Sequence, residues 1–192
     1  METSVILEKR PAASREDWLL AALEVLRERG IEGVKVVAIA RRLGLTSGSF
    51  YWHFKNLQDL LDGVLRYWKE IQTGQIIEDT LKFEGSPEER IKVLMYQVIS
   101  VGASTPDGAV AVWAKSDANV ADCYKKAMQR RFEFAAWLFE EAGFPPKDAK
   151  IRGRMMVLIL MGETTNGLKE SDNWKDVLDA HWNVLIEKPR GS

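Results

Sequence analysis

Ile39-Ala-Arg-Arg-Leu-Gly-Leu-Thr-Ser-Gly-Ser-Phe-Tyr-Trp-His-Phe-Lys-Asn56 decides the reading of this chain. It parses as a short helix, a turn and a second short helix. Ile39, Ala40 and Leu43 give the first helix one apolar face. Gly44 stops it, because glycine takes the left-handed cap conformation without steric cost. Thr46 or Ser47 is expected to cap the second helix, its hydroxyl accepting an orphan backbone N–H. Phe50 and Phe54, four apart, face inward. Ser47, Ser49, Tyr51, Trp52, His53 and Lys55 are left on other faces as hydrogen-bonding and stacking groups. This is the layout of a helix-turn-helix, whose second helix enters the DNA major groove.

Charge points the same way. Gly33 to Gln58 contains no Asp or Glu, although the chain holds 28 acids in 192 residues. Lys35, Arg41, Arg42 and Lys55 fall in that window. A locally acid-free basic surface suits a phosphate backbone, which supplies much of a protein's affinity for DNA. The alternative is a small helical subdomain with a solvated basic face. The net charge of −1 excludes a chain that is basic throughout, so any nucleic-acid contact is local.

Working outward, Ser14-Arg-Glu-Asp17 has the spacing of a capping box. It opens a helix with Trp18, Ala21, Ala22, Val25 and Leu26 on one face, ending at Gly30. Asn56 is placed to cap a long helix striped by Leu57, Leu60, Leu61, Val64, Leu65, Trp68 and Ile71. The segment from Ser14 to Leu61 resembles the N-terminal DNA-binding domain of the tetracycline-repressor (TetR) family. Gly30-Ile-Glu-Gly33, Ile39-Ala40, Leu43-Gly-Leu45, Tyr51-Trp-His-Phe-Lys-Asn56 and Leu60-Leu61 carry the likeness in order and spacing. The resemblance covers roughly the first third of the chain. It implies DNA contacts from Lys35, Thr46, Ser47, Ser49, Tyr51, Trp52, His53 and Lys55. The sequence departs from the family pattern at three places. Lys35 and Val36 stand where a capping Thr or Ser is common, Leu57 where Lys is usual, and Val37 where some members carry a polar base-reading side chain.

The rest reads as helix. Gly85-Ser-Pro-Glu-Glu89 opens a helix carrying Ile91, Leu94, Met95, Val98 and Val101. Thr105-Pro-Asp-Gly108 breaks it, and a short helix holds Val110 to Ala114. A long helix over about 119–142 stops at Gly143 and Pro145-Pro146; others run over about 147–166 and 173–187. The expected fold is all-α with about nine helices. A flexible arm is expected over 1–13, a helix-turn-helix domain over 14–60, and a helical ligand-binding and dimerisation domain over 61–190.

Met155-Met-Val-Leu-Ile-Leu-Met161 is apolar on every face of its helix and must be covered all round. The last helix carries Trp174, Val177, Leu178, His181, Trp182 and Leu185. Either both helices are simply central or they form an interface. The resemblance implies a homodimer through the last two helices, with Ile151, Met155, Leu158, Gly162, Trp174, Leu178, Trp182 and Leu185 at the contact. Two recognition helices would then meet half-sites one turn apart, about 34–36 Å.

Met and aromatic residues crowd the middle helices. At helical spacing these are core residues or cavity walls. The resemblance implies an unknown small-molecule effector, with Met95, Trp113, Tyr124, Met128 and Trp137 as wall residues and Gln97, Ser100 and Glu163 as polar candidates. His53 and His181 are far apart, there is no Cys pair, and the usual metal and nucleotide motifs are missing. No catalytic, metal or cofactor site is expected. Cys123 is alone, which suits a reducing cytoplasm. The longest apolar run falls far short of the roughly 20 residues that span a bilayer. The combined expectation is a cytoplasmic transcriptional repressor that an apolar effector releases from its DNA operator. The rival is an all-helical ligand-binding or enzymatic protein whose helix-turn-helix is structural; a third reading is a regulator answering to a protein partner.

Overall fold

The computed structural model describes residues 13–101 and 105–188. The arm expected over 1–13 lies almost wholly outside them. Among the described residues there are nine α-helices and no strand. They are α1 (Arg15–Arg29), α2 (Val36–Leu43), α3 (Leu57–Lys69), α4 (Ile76–Lys82), α5 (Pro87–Val101), α6 (Asp107–Trp113), α7 (Ala118–Glu141), α8 (Pro146–Thr165) and α9 (Trp174–Ile186). The all-α class read from the sequence is the class observed.

Local chemistry sets the helix starts. At α1 the Ser14 hydroxyl accepts from the Asp17 amide at 3.2 Å while the Asp17 carboxylate accepts from the Ser14 amide at 2.7 Å. Asn56 accepts from the Asp59 amide at 2.9 Å, and Asp59 accepts from the Lys55 amide at 3.0 Å. Ser86 and Glu89 repeat the reciprocal pattern at α5. Each such cap contributes about 1 kcal/mol. The Ser14 hydroxyl, then its amide, holds the Asp17 carboxyl below its ordinary range. Gly44, at φ 69° and ψ 29°, ends α2 in the left-handed conformation that the sequence reading assigned to it.

Glu70–Gln75 is wound as a π-helix between α3 and α4. Its flanking residues keep right-handed helical angles, so the run from Leu57 to Lys82 is continuous. The long helix expected after Asn56 is therefore present, with one widened turn in its middle. Such turns recur at functional sites.

Two hydrophobic cores form. The first joins α1, α2 and α3 to Val110 and Trp113 of α6 and Val120 and Ala127 of α7. The second takes Ile91, Leu94, Met95 and Ile99 of α5, Met128, Leu138 and Phe139 of α7, Met156 and Leu160 of α8, and Leu178 and Leu185 of α9. The division drawn at residue 60 falls inside α3, whose Leu60, Val64 and Trp68 all belong to the first core. Helix α7 serves both cores.

The α7–α8 hairpin is the tightest crossing in the molecule's second half. A Cβ on Gly153 would lie 2.5 Å from the Ala136 nitrogen and 2.8 Å from the Ala135 carbonyl carbon. Those are backbone atoms, so the helices would have to separate. Overpacking of this kind costs about 1–3 kcal/mol. Gly153→Ala is expected to lower unfolding stability by about 2 kcal/mol or more in urea denaturation. Gly108→Ala, where nothing lies within 4 Å of the added carbon, is expected to be neutral or mildly stabilising. Equal stability of the two variants would show that the hairpin is not closely packed.

Candidate nucleic-acid interface

Ile39 and Ala40 hold α2 against α1. After the turn, Ser47–Trp52 forms a 3₁₀ helix rather than the short α-helix expected from the sequence. Gly48 weakens helical winding there, and the Thr46 hydroxyl, 3.3 Å from that of Ser49, provides no side-chain cap. Thr46 still occupies the cap position through its backbone; its carbonyl accepts from the Ser49 amide at 3.1 Å.

Phe50 and Phe54 anchor this segment. Both are buried, and their rings stack at 5.3 Å. Phe50 also meets Trp18 edge-on at 5.6 Å. The anchoring turns the next side chains outward. Tyr51 is 68% exposed and Trp52 is 87% exposed, so Trp52 has almost no packing role in the protomer. Lys35, Thr46 and Lys55 are exposed, while Ser47, Ser49 and His53 are half-buried. The eight side chains expected at DNA thus lie along α2's start, the turn and the 3₁₀ segment.

The basic surface needs one correction. Arg42 is not available to a phosphate. Its guanidinium donates to Glu24 at 2.6 Å and to both carboxylate oxygens of Glu28 at 2.9 Å. Those hydrogen bonds, Glu28 first, raise Arg42 further above its ordinary value, and Arg42 holds the Glu28 carboxyl below its own. Both acids lie on α1, outside the acid-free window, so counting charges within that window missed them. Arg29, Lys35 and Arg41 border, together with the paired Arg42, a groove between α1 and α2 that also takes in Val37. Val37 is 69% exposed and was not among the candidates. The signal for it was the run Val36-Val-Ala-Ile-Ala40, whose apolar residues cannot all face inward on one helix.

A second site lies in the other half. A cavity of about 70 Å³ is walled by Ile76 and Ile77 of α4, Leu94 and Val98 of α5, Phe134 of α7, and Met156, Val157, Leu160 and Met161 of α8. Thr73, Thr105, Asp107, Arg131 and Thr164 supply its polar atoms. Its volume fits a few water molecules, so a larger guest requires the helices to adjust. The side chains expected to wall an effector cavity do not wall this one. Met95 and Met128 are consumed by the second core, and Trp113 by the first. Tyr124 stacks on Trp68 at 6.0 Å, and Trp137 stands at the surface against Phe134. Large side chains fill space; a void is left where smaller ones fail to close it. Gln97 accepts from the Thr80 hydroxyl at 3.0 Å and, with Ser100, faces an open groove beside Trp174; Glu163 lies 3.6 Å from His181.

Helix α8 divides its apolar surface. Met156, Val157 and Leu160 are buried, while Ile151, Met155, Leu158 and Gly162 form an outward stripe. Among the remaining interface candidates, Leu178 and Leu185 are buried within the protomer, so they cannot meet a partner directly. Trp174 packs on Tyr96, and Trp182 donates to the Glu88 carbonyl at 3.2 Å with Lys92 over its ring. Val184 of α9, which the sequence did not single out, is 65% exposed. Cys123 is half-buried on α7, and burial pushes its thiol pKa up, which suits a small apolar group rather than a nucleophile. Among the described residues no helix is long and apolar enough to cross a membrane, and no group of three or more His, Cys, Asp or Glu side chains is placed to hold a metal ion.

Comparison with known proteins bears on the N-terminal segment and on the overall fold. Residues 19–64 match the family model of bacterial regulatory proteins, tetR family. The tetracycline repressor protein class D of Escherichia coli is 43% identical over 51 residues, 27% of this chain and 23% of that repressor. The chain thus aligns with under a quarter of that relative's length. Over the whole fold, a TetR transcriptional regulator from Legionella pneumophila superposes with a TM-score of 0.78 at 14% identity, covering 93% of this chain and all of that one. FadR from Bacillus subtilis, in complex with stearoyl-CoA, superposes with a TM-score of 0.65 at 18% identity, covering 91% of this chain and 98% of that one.

The outward face makes a graded prediction for duplex DNA. Lys55→Ala is expected to weaken binding on every sequence and to flatten the salt slope by about one unit. Arg42→Ala, whose guanidinium is held by two glutamates, is expected to leave the slope unchanged. Equal slopes for Lys55→Ala and the wild type, measured by fluorescence anisotropy across salt concentrations, would remove Lys55 from the phosphate contacts.

Proposed function

We propose that this chain, whose residues 19–64 match the family model of bacterial regulatory proteins, tetR family, is a dimeric transcriptional repressor that a small apolar effector releases from its operator. The observation that carries the reading is the outward Tyr51–Trp52–Lys55 face inside the matched domain. Aromatic and cationic groups held on a packed scaffold suit groove and phosphate contacts. Lys35 and Thr46 are assigned to phosphates. Ser47, Ser49, Tyr51, Trp52 and His53 are assigned to the duplex surface, and Val37 to an apolar base edge such as a thymine methyl.

The cavity between α4, α5, α7 and α8 is the proposed effector site. Its walls are mostly aliphatic. The FadR neighbour's complex with stearoyl-CoA supports an apolar guest. A ligand changes DNA affinity only through its differential affinity for two shapes of the protein. The proposed shapes differ in the spacing of the two recognition segments.

A second copy is the proposed cover for the α8 stripe. Residues 151, 155, 158 and 162 repeat at four, three and four, which is one helix face. Nothing lies within 4 Å of a Cβ placed on Gly162, so a partner can approach closely there. A two-fold dimer presents two reading heads at half-site spacing.

Two measurements test the reading. A gel shift with the DNA upstream of the protein's own gene is expected to give a band that weakens with salt; its absence sinks the operator proposal. Leu158→Asp is expected to give folded monomers by analytical sedimentation, because an unpaired charge in an apolar contact is costly. Wild-type protein that is already monomeric at micromolar concentration overturns the dimer.

A further inference from the structure

One cluster ties the cavity to the reading head. Arg131 of α7 donates to both carboxylate oxygens of Asp107, at 2.7 and 3.1 Å, and to the Thr73 hydroxyl at 2.9 Å. Asp107 also accepts from the Trp68 indole at 2.7 Å. The guanidinium lies 5.7 Å from the centre of the Trp68 ring. The Arg131 and Asp107 side chains are 13% and 18% exposed. Arg131, Asp107 and Thr73 all border the cavity. Asp107 begins α6, whose Val110 and Trp113 are part of the reading head's core, and Trp68 ends α3 in that same core. The cavity also holds Thr164, buried and with no hydrogen-bond partner for its hydroxyl.

Resting on the effector reading above, we propose that the effector is an aliphatic acid whose carboxylate takes the place of Asp107 on Arg131 while its tail lies along the α4, α5 and α8 walls. The site is already shaped for that headgroup, since Asp107 shows a carboxylate gripped by both arms of the fork. An arginine stays charged at any working pH and matches a carboxylate in two parallel hydrogen bonds. The remaining wall is apolar and suits an alkyl chain. The unpartnered Thr164 hydroxyl offers one further hydrogen bond to a ligand that has a second polar atom. Displacement has a definite consequence. Asp107 loses Arg131 in a place too dry for a lone carboxylate, so α6 must shift to solvate it. Trp68 loses its acceptor in the same event. Both changes fall on elements packed into the reading head's core.

The test uses the full chain with octanoate, decanoate, 1-decanol and methyl decanoate as probes. Decanoate is expected to bind at least about tenfold more tightly than the alcohol or the ester, by thermal shift and tryptophan fluorescence. Trp68→Phe is expected to remove most of the decanoate-induced fluorescence change. Arg131→Lys, which keeps the charge and loses the fork, is expected to shrink the acid preference. Asp107→Asn keeps an acceptor for Trp68 but removes the competing charge. It is expected to bind decanoate about tenfold more tightly and to hold DNA less well before any ligand is added. If Asp107→Asn does not fold, the wild-type acid-to-ester ratio and the Trp68 signal decide the question. Equal affinity for acid and ester, or an acid preference that survives Arg131→Lys unchanged, overturns the headgroup assignment. Decanoate that binds as expected yet changes DNA affinity less than about twofold overturns the Asp107 displacement. Protein that shows the acid preference but binds no upstream DNA in any condition overturns the regulator reading and leaves the headgroup assignment standing.

Discussion

A nearly buried guanidinium must be neutralised where it sits, and the Arg131–Asp107 pair meets that demand across three chain segments. Removing one partner from such a pair typically costs about 3–5 kcal/mol, because the other is left charged and dry. Arg131 lies on α7, Asp107 begins α6, and Trp68 and Thr73 belong to the run from α3 through the π-turn. Those segments cannot move independently without losing hydrogen bonds. The pairing therefore fixes the angle between the reading head and the second core. Helix α7 reinforces this by packing Val120 and Ala127 into one core and Leu138 and Phe139 into the other.

Local signals made much of the architecture legible. The Ser14, Asn56 and Ser86 caps, the Gly44 stop and the Pro145-Pro146 break are each decided within a few residues, and each stands where the sequence placed it. The outward Tyr51 and Trp52 follow from Phe50 and Phe54 facing inward, a relation of spacing alone. What stayed hidden depends on partners distant in sequence. Arg42 is neutralised by residues 18 and 14 positions away, and Arg131 meets Asp107 across 24. Periodicity gave α8 two apolar sides without saying which was inward. The cavity was hidden for a different reason. Bulky side chains in a sequence mark where volume is available to fill space, whereas a cavity is where the filling falls short.

The stripe on α8 poses an energetic question of its own. Ile151, Met155 and Leu158 are each about half exposed, at 52%, 46% and 48%. Covering the remaining apolar area of such side chains is worth roughly 1 kcal/mol apiece. Three or four of them per protomer, doubled in the proposed two-fold dimer, would be of the same order as the entropic cost of association, about 4–15 kcal/mol. The protomer's own contribution is rigidity. The close crossing at Gly153 locks α8 onto α7, so little order would be left to lose in the proposed contact with a second copy.

Rigidity in the hairpin and the hydrogen-bonded cluster at Arg131 have complementary roles in the proposed mechanism. A signal from a cavity reaches a distant face only if the intervening structure holds two discrete arrangements rather than yielding gradually. Helices α7 and α8 cross closely at Gly153, so a proposed guest would have to be accommodated by the other walls, α4, α5 and the π-turn. The π-turn is itself a winding defect, with Thr73 buried in it and bonded to Arg131. A change in hydrogen bonding at Thr73 therefore acts on the one place in the Leu57–Lys82 run where the helical ladder is already irregular. Rewinding there would rotate what lies N-terminal to it, the packed unit that carries Tyr51, Trp52 and Lys55.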